Sequence, residues 1–180
     1  MNIQSQSQLL HIKKLAVRGV ALAQYELGYE YYYGDFVERD YAEAVRWWKK
    51  AADKGHPKAQ YALGWEYCYA RCVKQDYEEA IRLFIKSAEQ GYVYAQNKLG
   101  YMYYDGQGVE KNDAEAVRWY TKSAEQGHAS GQYKLAIMYR YGSGVTQDYA
   151  EAVRWFTKAA AQGHEKAQWH LRDLVELMPH

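Results

Sequence analysis

Apolar and polar positions along the chain recur with a period of 36 residues, and no insertion or deletion interrupts the register. Within each period, one stretch places apolar or Tyr side chains four residues apart, as at Leu27 and Tyr31. A second stretch spaces Ala, an aromatic residue and Ala in the same way, as at Ala44, Trp48 and Ala52. This spacing is typical of one face of an α-helix. Each period therefore predicts two helices.

The same residue types return at fixed positions of this period. Counting Gly19 as position 1, position 6 is always Gln, position 9 is always Leu and position 28 is always Arg. The full periods, which we call repeats 1 to 4, cover 19–54, 55–90, 91–126 and 127–162. Residues 1–18 and 163–180 match half repeats. The sequence thus predicts a single solenoid domain over 1–180 with a capping helix at each end.

Residues at the predicted helix ends agree with two helices in each repeat. Good N-caps precede the second helices, namely Asp40, Asp76, Asn112 and Asp148. Glycines suited to a left-handed C-terminal cap follow three of the first helices, namely Gly34, Gly106 and Gly142. Repeat 2 has Ala70 at this place. Because Ala is strained in the left-handed region, we expect the turn there to be of another type.

Position 10, in the middle of each first helix, holds a small residue. It is glycine in three repeats and alanine in the fourth, namely Gly28, Gly64, Gly100 and Ala136. Glycine inside a helix costs helix stability. We therefore expect a packed neighbour to approach the helix closely at this position.

The composition excludes several classes of protein. The net charge is +1 with 25% charged residues, which gives no electrostatic reason to expect nucleic acid or a membrane surface as partner. Two cysteines, Cys68 and Cys72, are too few for a disulfide framework. His11, Lys13 and Lys14 interrupt the apolar residues near the N-terminus, unlike a signal peptide. We expect a cytoplasmic monomer.

The combined pattern is A-x-x-x-L-G-x-x-Y-x-x-G-x-G-V-x-x-D-x-x-x-A-x-x-W-x-x-K-A-A-x-x-G, present as AQNKLGYMYYDGQGVEKNDAEAVRWYTKSAEQG at 95–127 and again over 135–163. It resembles the Sel-one-like repeat, a subfamily of tetratricopeptide-like α-solenoids. The resemblance covers nearly the whole chain. It implies an all-α, right-handed superhelical solenoid of helix-turn-helix repeats, with the first helices lining the concave side. It also implies a scaffold or adaptor that binds other proteins.

Tyrosine is unusually frequent, with 20 residues in 180, and much of it falls on one predicted surface. On a helical wheel, positions 7, 11 and 15 of the first helices point away from the face that carries positions 5, 9 and 13. Eleven residues at these three positions, all aromatic except Ile137, form what we call the aromatic stripe: Tyr25, Tyr29, Tyr33, Tyr61, Trp65, Tyr69, Tyr101, Tyr133, Ile137, Tyr141 and Trp169. Tyr and Trp are enriched at binding hot spots. The stripe therefore predicts a groove for a peptide or protein element, although position 11 is equally consistent with packing between successive first helices.

Charged residues accompany the stripe. Acidic side chains fall in the N-terminal half of the predicted groove, at Glu26, Glu30 and Glu66. Basic side chains follow further along, at Lys98, Lys134 and Arg140. A partner with a matching charge gradient would fit this order.

Candidate catalytic and metal-binding residues do not converge in the sequence. His56, His128 and His164 all occupy position 2, near helix starts, where a capping role fits better than metal binding. Cys68 and Cys72 lack the further His or Cys that would complete a zinc site. The pattern contains no phosphate-binding glycine loop or nucleophile elbow. We expect no cofactor, no metal and no catalytic activity.

Four functions are compatible with these observations. The favoured one is a non-enzymatic scaffold or adaptor in bacterial-type signalling or assembly. An immunity-like inhibitor that plugs a toxin or enzyme would bind one partner tightly. A hydrolase would need a polar cleft with converging acid and base groups. An engineered, consensus-like array would explain the gapless register but not the irregular loops of repeats 1 and 2, which hold Phe36 and Cys72 where repeats 3 and 4 hold glycine.

Overall fold

The computed structural model describes the backbone of residues 3–177 and the side chains of residues 7–174. The described residues form helices and no strands. The helices are α1 (Ile3–Val17), α2 (Ala21–Tyr33), α3 (Tyr41–Asp53), α4 (Pro57–Tyr69), α5 (Tyr77–Glu89), α6 (Val93–Asp105), α7 (Asp113–Glu125), α8 (Ala129–Tyr141), α9 (Tyr149–Ala161) and α10 (Glu165–Leu177). Each repeat contains two helices, and α1 and α10 lie in the half repeats at the ends. The all-α solenoid fold predicted from the period is confirmed.

The chain divides into two compact units, Met1–Tyr92 and Val93–His180. In the first unit, α2 pairs with α3 and α4 with α5, while α1 packs on α2 and α3 on α4. In the second unit, α6 pairs with α7 and α8 with α9, while α7 packs on α8 and α9 on α10. That all of 1–180 forms one domain stays a prediction.

The core of each helix pair is built on the aromatic residue at position 30. Its ring lies against position 10 of the same repeat, and a Cβ added to Gly64 would lie 2.8 Å from Cε1 of Phe84. The equivalent atom on Gly100 would lie 2.5 Å from Cδ1 of Tyr120. Trp48, Phe84, Tyr120 and Phe156 are all buried. The close approach expected at position 10 is confirmed, and the approaching group is an aromatic ring.

The predicted N-caps are also confirmed. The side chains of Asp40, Asp76, Asn112 and Asp148 each accept a hydrogen bond from the backbone N–H three residues on. This bond satisfies one of the amide groups that a helix N-terminus leaves without an intrahelical partner. The sequence thus sets where each second helix begins.

Ala70 contradicts one expectation. Its backbone has φ 54° and ψ 37°, so it occupies the left-handed region, as Gly34 does at the same place in repeat 1. The predicted change of turn type is therefore wrong. Hydrogen bonds on both sides explain the result, since Ala70 N–H donates to Glu66 O and Asp76 N–H donates to Tyr67 O. These two bonds hold the loop in the geometry of repeat 1 and offset the strain of Ala.

The glutamine at position 6 has a structural role that the sequence did not reveal. In repeat 2, Gln60 Nε2 donates to Ala52 O, and Gln60 Oε1 accepts from Gln90 at position 36. Gln132 and Gln162 form the same pair in repeat 4, and Gln96 and Gln126 form it in repeat 3. Repeat 1 has Lys54 at position 36, which donates to Gly19 O, and Gln24 Oε1 is buried without a hydrogen bond. Glutamine suits position 6 because its buried side-chain amide can both donate and accept a hydrogen bond there.

Three histidines cap first helices, as their position suggested. His56 Nδ1 accepts from Ala59 N–H at 3.3 Å. His128 and His164, which lie two and three repeats further along the chain, make the same bond to the backbone N–H three residues on. Only the neutral ring can accept at Nδ1. Burial lowers the pKa of each of the three rings, and the nearby Lys58 also lowers the pKa of His56.

We expect these histidine caps to make the fold sensitive to acid. Because the folded pKa values lie below the unfolded value of about 6.5, the unfolded chain takes up protons first. The stabilisation from the caps is present above about pH 6.5 and is lost as the pH falls through the folded pKa values. Urea unfolding from pH 8 to pH 5 measures the loss.

A triple His56→Asn/His128→Asn/His164→Asn variant tests the cause. Asn also caps helices but does not titrate in this range, so the variant should lose less stability on acidification than the wild type. His11, which is exposed and caps no helix, provides the control His11→Asn. An unchanged pH dependence in the triple variant would contradict the assignment.

Candidate functional site

The exposed part of the aromatic stripe lies mainly at positions 11 and 15. Tyr33 is 47% exposed and Tyr69 is 45% exposed. The other exposed members are Tyr29, Tyr101, Tyr141 and Trp169. Trp65 and Ile137, both at position 11, are half-buried. The stripe thus presents large rings to solvent in both units.

In repeats 1, 2 and 4, the tyrosine at position 7 is half-buried, because its ring packs against position 2 of the next repeat. Tyr25 stacks on His56 with 5.0 Å between ring centroids, and Tyr133 stacks on His164 at 4.5 Å. Tyr61 meets Tyr92 edge-on at 5.2 Å. Burial raises the pKa of the Tyr25 and Tyr133 hydroxyls. These tyrosines stabilise the junction between repeats and present only one edge to the surface.

In the first unit, the stripe residues converge on one cavity of about 290 Å³, which we call the first-unit cavity. All six members from this unit line it: Tyr25, Tyr29, Tyr33, Tyr61, Trp65 and Tyr69. Successive rings are in contact, with centroids 4.3 Å apart for Tyr29 and Tyr33 and 4.6 Å apart for Trp65 and Tyr69. The helical wheel predicted the residues but not that they would enclose a cavity.

Residues that the helical wheel did not assign to the aromatic stripe also line the cavity. Tyr32, Trp48 and Tyr92 add aromatic surface, and Glu66, Lys58 and Arg71 add charge. Arg71 donates to the Tyr32 hydroxyl, and its guanidinium carbon lies 5.6 Å from the Tyr32 ring centroid. Arg71 belongs to the irregular Ala70–Cys72 loop, so this loop contributes to the cavity wall.

Glu66 is the charged group at the greatest depth in this cavity, with only 3% of its surface exposed. One of its carboxylate oxygens is buried and accepts no hydrogen bond. Burial raises the pKa of this carboxyl. The sequence placed Glu66 in the acidic half of the groove but as a surface charge. A comparison of residue types at position 12, which is Glu in repeats 1 and 2 and Met in repeats 3 and 4, would have singled it out.

In the second unit, the stripe residues carry basic neighbours. The guanidinium carbon of Arg140 lies 5.3 Å from the Tyr141 ring centroid, and Arg140 also forms an ion pair with Asp173. Lys98 is buried and donates to Gln107, contrary to the expectation of a surface charge. Burial lowers the pKa of Lys134.

The described residues offer no group of three or more His, Cys, Asp or Glu side chains that could hold a metal ion. Within the same part of the chain, no helix is long and apolar enough to cross a membrane. Cys68 is buried, Cys72 is exposed, and neither forms a disulfide.

Helix pairs stacked in a fixed register define the chain as an α-helical repeat protein. The model of the Sel1 repeat family matches it four times in tandem, at residues 21–56, 57–92, 93–128 and 129–164. The chain therefore belongs to the Sel1 repeat family. Sel1 repeats typically mediate protein–protein interactions, and proteins built from them are generally non-catalytic scaffolds.

Solved structures support this assignment. A crystal structure of c5321, a protective antigen present in uropathogenic Escherichia coli strains with an SLR fold, is 43% identical with a TM-score of 0.90, and the match covers 94% of this chain and 36% of that one. A Sel1 repeat protein from Oxalobacter formigenes is 32% identical with a TM-score of 0.83, and the match covers 91% of this chain and 65% of that one.

A more distant structure, cysteine rich protein B from Helicobacter pylori, is 24% identical with a TM-score of 0.58 over 77% of this chain and 99% of that one, and it shows the shared fold alone. The chain spans about a third of the length of the Escherichia coli protein and just under two thirds of the Oxalobacter protein. A comparison with curated protein sequences gives no match.

Proposed function

We propose that the chain is a non-enzymatic scaffold or adaptor that binds a peptide or protein element through its aromatic stripe. The observation that carries this proposal is the first-unit cavity, which all six stripe residues of that unit line. Tyr and Trp bury much surface at a low cost in side-chain entropy, and their polar atoms can stay hydrated at the rim. A row of such rings suits an extended peptide or an inserted loop.

Because position 15 is exposed, substitutions there should affect binding of a partner much more than the stability of the fold. Because Tyr33 and Tyr69 are nearly half exposed, replacing both by Ala should change the free energy of unfolding by about 1 kcal/mol or less. If these residues are hot spots for a partner, the same double substitution should weaken binding about ten-fold or more.

A pull-down from a lysate of the source organism, followed by mass spectrometry and a titration with the purified partner, measures this effect. The variants are Tyr33→Ala/Tyr69→Ala for the first unit and Tyr141→Ala/Trp169→Ala for the second. The matched control, Val17→Ala/Tyr149→Ala, removes exposed apolar side chains outside the stripe. A partner that all variants hold equally well would show that the stripe is not the binding surface.

A further inference from the structure

The residue type at position 12 differs between the first two repeats and the last two, and this difference points to a ligand. Met102 and Met138 occupy it in repeats 3 and 4, and both are fully buried. Glu30 and Glu66 occupy it in repeats 1 and 2. In repeat 2 a carboxylate thus fills a place that packs an unbranched apolar side chain elsewhere in the same fold.

Among the described residues, none forms an ion pair or a hydrogen bond with the carboxylate of Glu66. It takes part in none of the ion pairs formed by the described residues, and its buried oxygen accepts no hydrogen bond. The two cations that line the cavity do not neutralise it, since Arg71 is bonded to Tyr32 and Lys58 is exposed. Buried carboxylates in proteins are normally paired, because leaving one unpaired is costly.

The surroundings of Glu66 favour a cation as the missing partner. The faces of Tyr and Trp rings attract cations through their quadrupoles, most strongly where water is excluded. A guanidinium group adds two parallel donors that match a carboxylate and a flat surface that stacks on aromatic rings. At about 290 Å³ the cavity is far larger than one water and lies at the lower end of the range for ligand pockets, so it fits a single side chain.

We propose that the first-unit cavity receives an arginine side chain of the protein partner, with Glu66 as the carboxylate that pairs with its guanidinium. This inference rests on the proposed function, because it names the part of the partner that enters the stripe. The stacked rings of Trp65 and Tyr69 flank the entering side chain, and Tyr33 lies at the rim. An acidic or purely apolar side chain would leave the Glu66 carboxylate unpaired.

The probe for this pairing is the peptide acetyl-Gly-Arg-Gly-amide, titrated against the full chain while the indole N–H resonances of tryptophan are followed by NMR. We expect saturable shifts, including that of Trp65, with a dissociation constant of about 1 mM. The citrulline peptide has nearly the same shape without the charge and should bind about ten-fold more weakly or worse.

Glu66→Met provides the matched variant, because Met is the residue that repeats 3 and 4 hold at this position. It should fold, as judged by circular dichroism, and should bind the arginine peptide about ten-fold more weakly. Glu78→Met removes an exposed carboxylate from α5 of the same unit, outside the cavity lining, and it should bind as the wild type does. Equal binding of the citrulline peptide, equal binding by Glu66→Met, or no saturable shift up to about 50 mM would overturn the inference.

The same variant separates this inference from the proposed function. If Tyr33→Ala/Tyr69→Ala loses the protein partner while Glu66→Met keeps it with unchanged affinity, the stripe binds the partner and the arginine assignment is wrong. If both variants keep the partner, the proposed function fails as well. Loss in both, together with loss when one arginine of the partner is replaced by citrulline, supports the pairing.

Discussion

Replacing Phe84 by Ala is expected to destabilise the protein by about 3–5 kcal/mol, since the whole aromatic ring is buried. The ring packs against Gly64 in α4, and its centroid lies 5.6 Å from that of Tyr61. The structure around a deleted core side chain relaxes only partly, so the lost ring leaves a cavity. Urea unfolding of the variant measures the cost.

Two further variants show whether the contact with Gly64 causes the loss. Gly64→Ala alone should cost about 1–3 kcal/mol, because the new methyl group meets the Phe84 ring. In the Phe84→Ala background the methyl group has space, so the substitution should become neutral or stabilising through the better helix propensity of Ala. Additive effects of the two changes would contradict a direct contact. Tyr69→Ala, which removes an exposed ring of the same unit, is the control for loss of aromatic surface.

Glu66→Met is expected to stabilise the protein by about 1–3 kcal/mol at pH 7, since it removes a buried carboxylate that accepts no hydrogen bond and adds apolar contacts. The gain should depend on pH. Burial raises the folded pKa of Glu66 above the unfolded value of about 4.3, so the carboxyl is protonated in both states in acid and costs little there. Stability is lost as the pH rises through the folded pKa.

The measurement is the difference in unfolding free energy between Glu66→Met and wild type at pH 4 and at pH 7.5. The difference should be larger at pH 7.5. Glu78→Met, at an exposed position of α5, is the control and should show a small difference at both values. A gain that is larger in acid would show that an internal cation already pairs with Glu66.

Much of the fold could be predicted because each local signal repeats at a fixed spacing. Asp40 and its equivalents cap the start of the second helices with their own side chains, and the aromatic residue at position 30 marks the buried face. Such signals act within one helix or one turn, so they can be recognised in a single amino-acid sequence. The same holds for the histidine caps, whose role follows from their place before a helix.

The predictions that the structure overturns concern contacts that reach beyond a single helix. A helical wheel describes one isolated helix, so it could identify Tyr25 as facing away from the core but not that His56 of the next repeat would cover it. It also treated Glu66 as a surface charge. At Ala70 the intrinsic preference of Ala disfavours the left-handed region, but the hydrogen bonds that fix the loop outweigh that preference.

The paired glutamines at positions 6 and 36 bear on how chains of this type change length. Both members of each pair, such as Gln60 and Gln90, lie in the same repeat. A duplicated gene segment of one period would therefore carry its own pair, and its deletion would remove both members together. Unequal recombination can thus add or drop whole periods without leaving a buried amide unsatisfied. Repeat 1, with Lys54 in place of Gln, leaves Gln24 Oε1 without a hydrogen bond, so each further copy of it would add another unsatisfied buried oxygen.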